Sequence, residues 1–171
     1  MTEPTLADFE AFAATDEYRS LHLFERIQIA DHFLPMVQSQ YRVVWEDPAE
    51  PDACCKVTVP DPHWMAQALH GGILPPIEAE LEDQAAYQAY LDAGGDPTKF
   101  NWHDVDGGAK HPYAPPTGPM TEEQAIEYLI MKCLPRRVWD DPTANQPRFK
   151  IVLAEAIPVE RHFRNAWRIA A

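Results

Sequence analysis

The densest run of chemically capable side chains closes the chain, where Glu160, Arg161, His162, Phe163, Arg164, Trp167 and Arg168 follow one another closely. An acid, a histidine and three arginines suggest general acid–base work or a phosphate contact. Two large aromatics suggest a hydrophobic anchor. On helical spacing the run divides into two faces. Phe163 and Trp167 stand at i, i+4 and share one, with Ala166 and Ala170 beside them. Arg161, Arg164 and Arg168 line the other, and Glu160 pairs with Arg164 for about 0.2–0.5 kcal/mol. Burial of two aromatics contributes roughly several kcal/mol by area. Energy therefore favours a short amphipathic helix, opened by Pro158 and docked by Phe163 and Trp167, with the arginines free to meet an acidic surface.

Other reactive groups are scattered. Cys54 and Cys55 are adjacent and bridge each other only with strain, so three reduced thiols are expected. Cys133 with a histidine such as His111 is a conceivable nucleophile and base. Its place on the apolar stripe of a helix instead predicts a small buried filler. His22 and His32 are expected at the surface or its boundary. Asp104-Val105-Asp106-Gly107 has a calcium-loop flavour, but position 12 counted from Asp104 is Pro115, so the closing acid is missing. No C-x-x-C or H-x-x-x-H pair starts a zinc site. Neither G-x-x-x-x-G-K-[ST] nor G-x-G-x-x-G occurs, and with Ser20 and Ser39 the only serines there is no G-x-S-x-G elbow. These observations predict no catalytic residue, no metal and no cofactor.

The elements that must position the closing run are partly legible. Leu6, Phe9 and Phe12–Ala13 recur at helical spacing, and Thr15 caps a second stretch running towards Ala30, with Pro35 as its stop. The period then changes. Tyr41–Trp45 and Cys55–Val59 are β-rich, and the acidic, proline-bearing Glu46–Ala53 between them predicts an antiparallel pair. A short helix is expected over Trp64–Leu69, ended by Gly71-Gly72, and a longer one over Glu78–Ala93, ended by Gly94-Gly95. Thr121-Glu122-Glu123-Gln124 reads as a capping box for a helix reaching about Cys133. Arg136–Arg148 reads as a turn-rich connector, and Phe149–Leu153 as a third strand. The Gly/Pro-rich stretch 94–119 is too long for an ordinary connection, and Phe100, Trp102 and Tyr113 argue against plain disorder. It is expected to be functional or packed on a partner.

Length and charge bound the rest. A chain of 171 residues, 46% hydrophobic, has room for one core, and 17 prolines predict long, stiff loops. No run approaches the roughly 20 apolar residues of a membrane span, and the first residues lack a basic-then-apolar leader, so a soluble, unexported chain is expected. Residues 1–100 hold 18 acids and 5 bases, whereas from Lys132 onwards 8 bases face 4 acids. An acidic body with a mildly basic tail can attract itself or its copies. It argues against direct nucleic-acid binding, which needs phosphate neutralisation.

The run Ile157, Pro158, Glu160, Arg161, Phe163, Arg164, Asn165, Ala166 and Trp167 resembles the closing I-P-x-[DE]-R-x-F-R-N-A-W motif of small uncharacterised proteins encoded by tailed bacteriophages. The likeness covers about residues 120–170 and, more loosely, 41–59. Position 160 departs from the Asp expected there, and His162 from a small polar residue. The resemblance implies phage origin and nothing catalytic. Two readings follow. One is a non-enzymatic virion component of the tail, connector or fibre-associated kind. It would reside in the virion, or in host cytoplasm before assembly, and contact other phage structural proteins or its own copies. The other is a non-virion accessory protein that binds a host factor through its acidic surface. Residues expected to anchor or interact are Arg161, Phe163, Arg164, Trp167 and Arg168. The predicted fold is α+β: an antiparallel sheet of about three strands, several helices and long Pro/Gly-rich loops. A helical arm over 1–40 is expected to precede a body over 41–171, with the loop at 94–119.

Overall fold

The computed structural model describes residues 3–102, 108–109, 111–159 and 167–169. The fold is α+β, with seven helices and one three-stranded antiparallel sheet among those residues. Contacts divide the chain into two compact units, one of residues 1–36 and 66–121, the other of 37–65 and 122–171. This partition cuts across the arm-and-body scheme, because residues 1–36 share a unit with 66–121.

The first unit is helical. α1 (Leu6–Ala13) starts at a capping box: Thr5 Oγ1 accepts from Asp8 N, and the Asp8 carboxylate accepts from Thr5 N. Thr15 caps α2 (Asp16–Arg19), as its position predicts. The single stretch expected from Thr15 onwards is broken, however, because α3 (Leu23–Phe33) has its own start. His22 Nδ1 accepts from Phe24 N at 3.1 Å, and the Glu25 carboxylate accepts from His22 N. His22 is thereby buried, 7% exposed, rather than at the surface. α4 (Pro62–His70) opens on Asp61, whose carboxylate accepts from the amides of His63 and Trp64; the boundary between the units falls inside it, after Met65. Gly71 and Gly72 end it in left-handed conformation. α5 (Ile77–Asp92) ends at Gly94, φ 85°.

Phe9 organises this unit's core, stacking on Phe33 at 5.5 Å and meeting Tyr18 edge-on at 5.9 Å. Beside it Arg26 is fully buried and has no carboxylate partner among the described residues. Its guanidinium donates to the carbonyls of Arg19 and Ala114, both at 3.0 Å. Burial holds its pKa below the usual arginine value.

The described part of the 94–119 stretch lies in this unit. Phe100 is buried against Tyr87, Tyr90 and Trp102. Its second half is a strap whose backbone bonds run inward: Pro112 O accepts from Leu23, Thr117 O from Gly72, Leu74 O from Thr117, and Ala68 O from Met120. His111 is held by α5, its amide on Asp83 and its ring on Glu82. Asp104 and Asp106 lie outside the described residues.

The second unit holds the sheet. β1 (Tyr41–Trp45) lies between β2 (Lys56–Thr58) and β3 (Phe149–Leu153), antiparallel to both. Trp45 faces Lys56 in register, the ammonium 4.9 Å from the ring, and Trp45 Nε1 donates to Thr58 Oγ1. α6 (Glu122–Cys133) buries Ala125, Ile126, Tyr128, Leu129 and Ile130. Its Glu122 carboxylate accepts from Ser39 Oγ and Gln40 N, which fixes the entry to β1. Cys133, expected as a buried filler, is exposed on the helix's last turn. The connector expected after Pro135 forms a further short helix, α7 (Arg136–Trp139), which buries Val138.

Candidate functional site

The sheet unit carries the described part of the closing run, and its geometry follows from the β1–β3 register. Gln40 O accepts from Ala154 N at 2.7 Å, and Glu46 N donates to Arg148 O at 3.0 Å. Bonded pairs in an antiparallel ladder recur every second residue. Arg42 with Val152, and Val44 with Lys150, are therefore bonded pairs as well. Phe149, Ile151 and Leu153 consequently direct their amides away from β1, towards an edge that no strand covers among the described residues. Their side chains share one face with Val43. Ile151 and Leu153 are each 43% exposed. Lys150 and Val152 project from the opposite face.

That opposite face forms the floor of an open groove of about 420 Å³. Val44, Val57 and Val152 contribute apolar floor, Ile157 and Trp167 flank it, and Lys150 and Arg168 add positive charge. Cys55 also lines it. The thiol is buried, and burial pushes its pKa up, so it stays protonated and is a poor nucleophile.

The described end of the chain departs from the expected helix. Trp167–Ile169 is not helical: Trp167 O accepts from Cys55 N at 3.1 Å, and Ile169 N donates to a Glu46 carboxylate oxygen at 2.9 Å. Trp167 is half-buried. Arg168 is exposed and meets its own chain, donating to Asp52 O at 3.3 Å. Arg161, Phe163 and Arg164 lie outside the described residues, so the structure brings together only Trp167 and Arg168 of the five.

Two features of the site had no signal in the sequence. One is the outward set of amides on β3, which depends on register. The other is the pair between Asp47, in the acidic β1–β2 loop, and Arg137 on α7. Arg137 Nε and Nη2 reach the two carboxylate oxygens at 2.6 and 2.7 Å, and the Asp47 side chain is 3% exposed. Arg137 holds the Asp47 carboxyl down at about 2. Basic tail and acidic body thus attract each other within this unit, although nothing in the spacing of 47 and 137 indicates the pairing.

Among the described residues no three His, Cys, Asp or Glu side chains gather as metal ligands, and no helix is long and apolar enough to cross a membrane. The conceivable pair of Cys133 and His111 is divided between the two units. No protein-family model, curated protein or solved structure matches the chain.

Proposed function

We propose that this chain is a non-enzymatic structural component of a tailed-bacteriophage virion, joined to a neighbouring subunit by strand addition at the β3 edge. The observation that carries the reading is the outward amides of Phe149, Ile151 and Leu153 beside the exposed side chains of Ile151 and Leu153. An open, apolar edge supplies main-chain hydrogen bonds to a partner strand and contact area to its side chains. The phage assignment rests on the closing motif, and tail, connector or fibre-associated positions suit a protein that acts through protein contacts. The partner is another structural protein or a second copy.

Mass spectrometry of purified particles tests this reading, with Ile151→Pro as the edge variant. Proline removes an amide that points away from β1, so the β1–β3 ladder keeps its bonds. The wild-type chain is expected in particles, and the folded variant is expected to be depleted. Absence of the wild type, or normal incorporation of the variant, sinks the proposal.

A second reading rests on the charge of the first unit, which holds 15 acids and 4 bases. A non-virion accessory protein would bind a host factor through that surface. Capture of the factor should weaken as salt rises through physiological strength.

A further inference from the structure

The helical unit contains an open cleft of about 590 Å³ that the proposed sheet-edge contact does not use. Three side chains of different chemistry line it: Glu10 from α1, Arg19 from α2 and His70 from the end of α4. Apart from Thr117, whose hydroxyl donates to Leu74 O, its remaining wall is bare or apolar, including Gly72, Pro116 and Gly118. A Cβ added at Gly72 or Gly118 meets nothing within 4 Å.

The unit's other described basic side chains are committed. Arg26 is buried on two carbonyls, and Lys99 pairs with Asp96 at 3.7 Å. Arg19, exposed amid 15 acids, has no partner for its guanidinium among the described residues, and neither has the Glu10 carboxylate. His70 is oriented: its Nδ1 lies 2.8 Å from Gly71 O, and a carbonyl only accepts, so Nδ1 carries the hydrogen. In the neutral ring the lone pair is then on Nε2. The C-terminal ends of α1 and α4 also meet here, at Ala14 and His70, and contribute partial negative charge next to Glu10.

We infer that this cleft binds a small zwitterion with a primary ammonium and a carboxylate, of the free amino acid or short-peptide class. The ammonium is taken by Glu10 and the helix ends, which suit a cation. The carboxylate is taken by Arg19, whose planar fork matches it. Alanine and proline walls accept apolar side chains. The volume lies within the range of small-molecule sites and accommodates a dipeptide more fully than a single amino acid.

Calorimetric titration of the full chain with the free amino acids and with a dipeptide set tests the inference. At least one compound is expected to bind, and the two sets distinguish single residue from peptide. N-acetylation or C-terminal amidation of that compound should weaken binding by about tenfold or more, as should Glu10→Gln and Arg19→Gln. N-acetylation should cost little further in Glu10→Gln, and amidation little further in Arg19→Gln. Gly118→Leu, which adds bulk to open space, should abolish binding while leaving the melting temperature nearly unchanged. Arg136→Gln, in the sheet unit, is the control and should bind as wild type does. Failure of every compound to bind overturns the inference, as does binding that ignores Glu10→Gln, Arg19→Gln and Gly118→Leu. Neither outcome affects incorporation through β3, so this test and the particle test fail independently.

Discussion

The helical unit and the sheet unit treat charge in opposite ways. The first holds 15 acids and 4 bases, the second 12 and 10. Yet the cation buried most deeply in the acidic unit, Arg26, rests on carbonyls and not on an acid. In the nearly balanced unit, Asp47 and Arg137 form a two-pronged pair. Acid and base counts therefore do not tell where ion pairs form. Arg26 satisfies one carbonyl of the proline-rich strap, Ala114 O, and one at the end of α2, Arg19 O. Backbone outside regular secondary structure or at a helix end needs donors from elsewhere. Asp47 lies in a loop between strands, where Arg137 on a short helix can reach both of its oxygens.

Four substitutions test this contrast. The largest effect is expected at Arg26. Arg26→Met keeps much of the bulk but strands two carbonyls, at about 3–5 kcal/mol of unfolding free energy, read by urea denaturation. A loss below 1 kcal/mol would mean that the strap does not depend on this contact. Next is Gly71→Ala. Gly71 has φ 75°, and an added Cβ would lie 2.2 Å from Pro119 N, so α4 and the strap must separate. The cost should be roughly 2–3 kcal/mol.

Asp47→Asn removes the charge of the sheet unit's pair and should cost about 1–2 kcal/mol at neutral pH. The carboxyl titrates near 2 in the folded chain and about 3.9 when unfolded, so its contribution is present above pH 4 and lost as pH falls towards 2. The gap in melting temperature between wild type and Asp47→Asn should accordingly close between pH 4 and pH 2. A gap that stays constant would show that the charge is not its source. The smallest stability effect is expected at the open edge: Ile151→Lys, at a side chain 43% exposed, should change stability by less than about 0.5 kcal/mol while weakening partner binding. If it destabilises the isolated chain by several times that amount, Ile151 belongs to the core and not to a contact surface.

The elements that the sequence anticipates are those with local causes. Asp61, Gly71 and Gly94 bound helices close to the expected Trp64–Leu69 and Glu78–Ala93, because caps and left-handed glycines act within a turn of themselves. The three strands likewise follow from β-rich runs at 41–45, 55–59 and 149–153. Where reading failed, the cause was an unusual local partner or a distant one. His22 is not a common cap, so the sequence carries no signal for the break before α3. Cys133 continues an apolar stripe, but periodicity names a face and not how far its neighbour extends. The aromatic spacing of Phe163 and Trp167 favours a helix; Trp167–Ile169, bonded to Cys55 and Glu46, is not helical, and residues 160–166 lie outside the described residues.

By itself, then, the sequence determined the α+β class, most element boundaries and the concentration of acid towards the N-terminal side. Each depends on interactions spanning a few residues or on composition alone. The tertiary structure decided which amides of β3 face outward, which of 27 acids meets Arg137, and that Glu10, Arg19 and His70 line one cleft. Those are matters of register and of contacts between residues far apart in the chain, and no local preference encodes them.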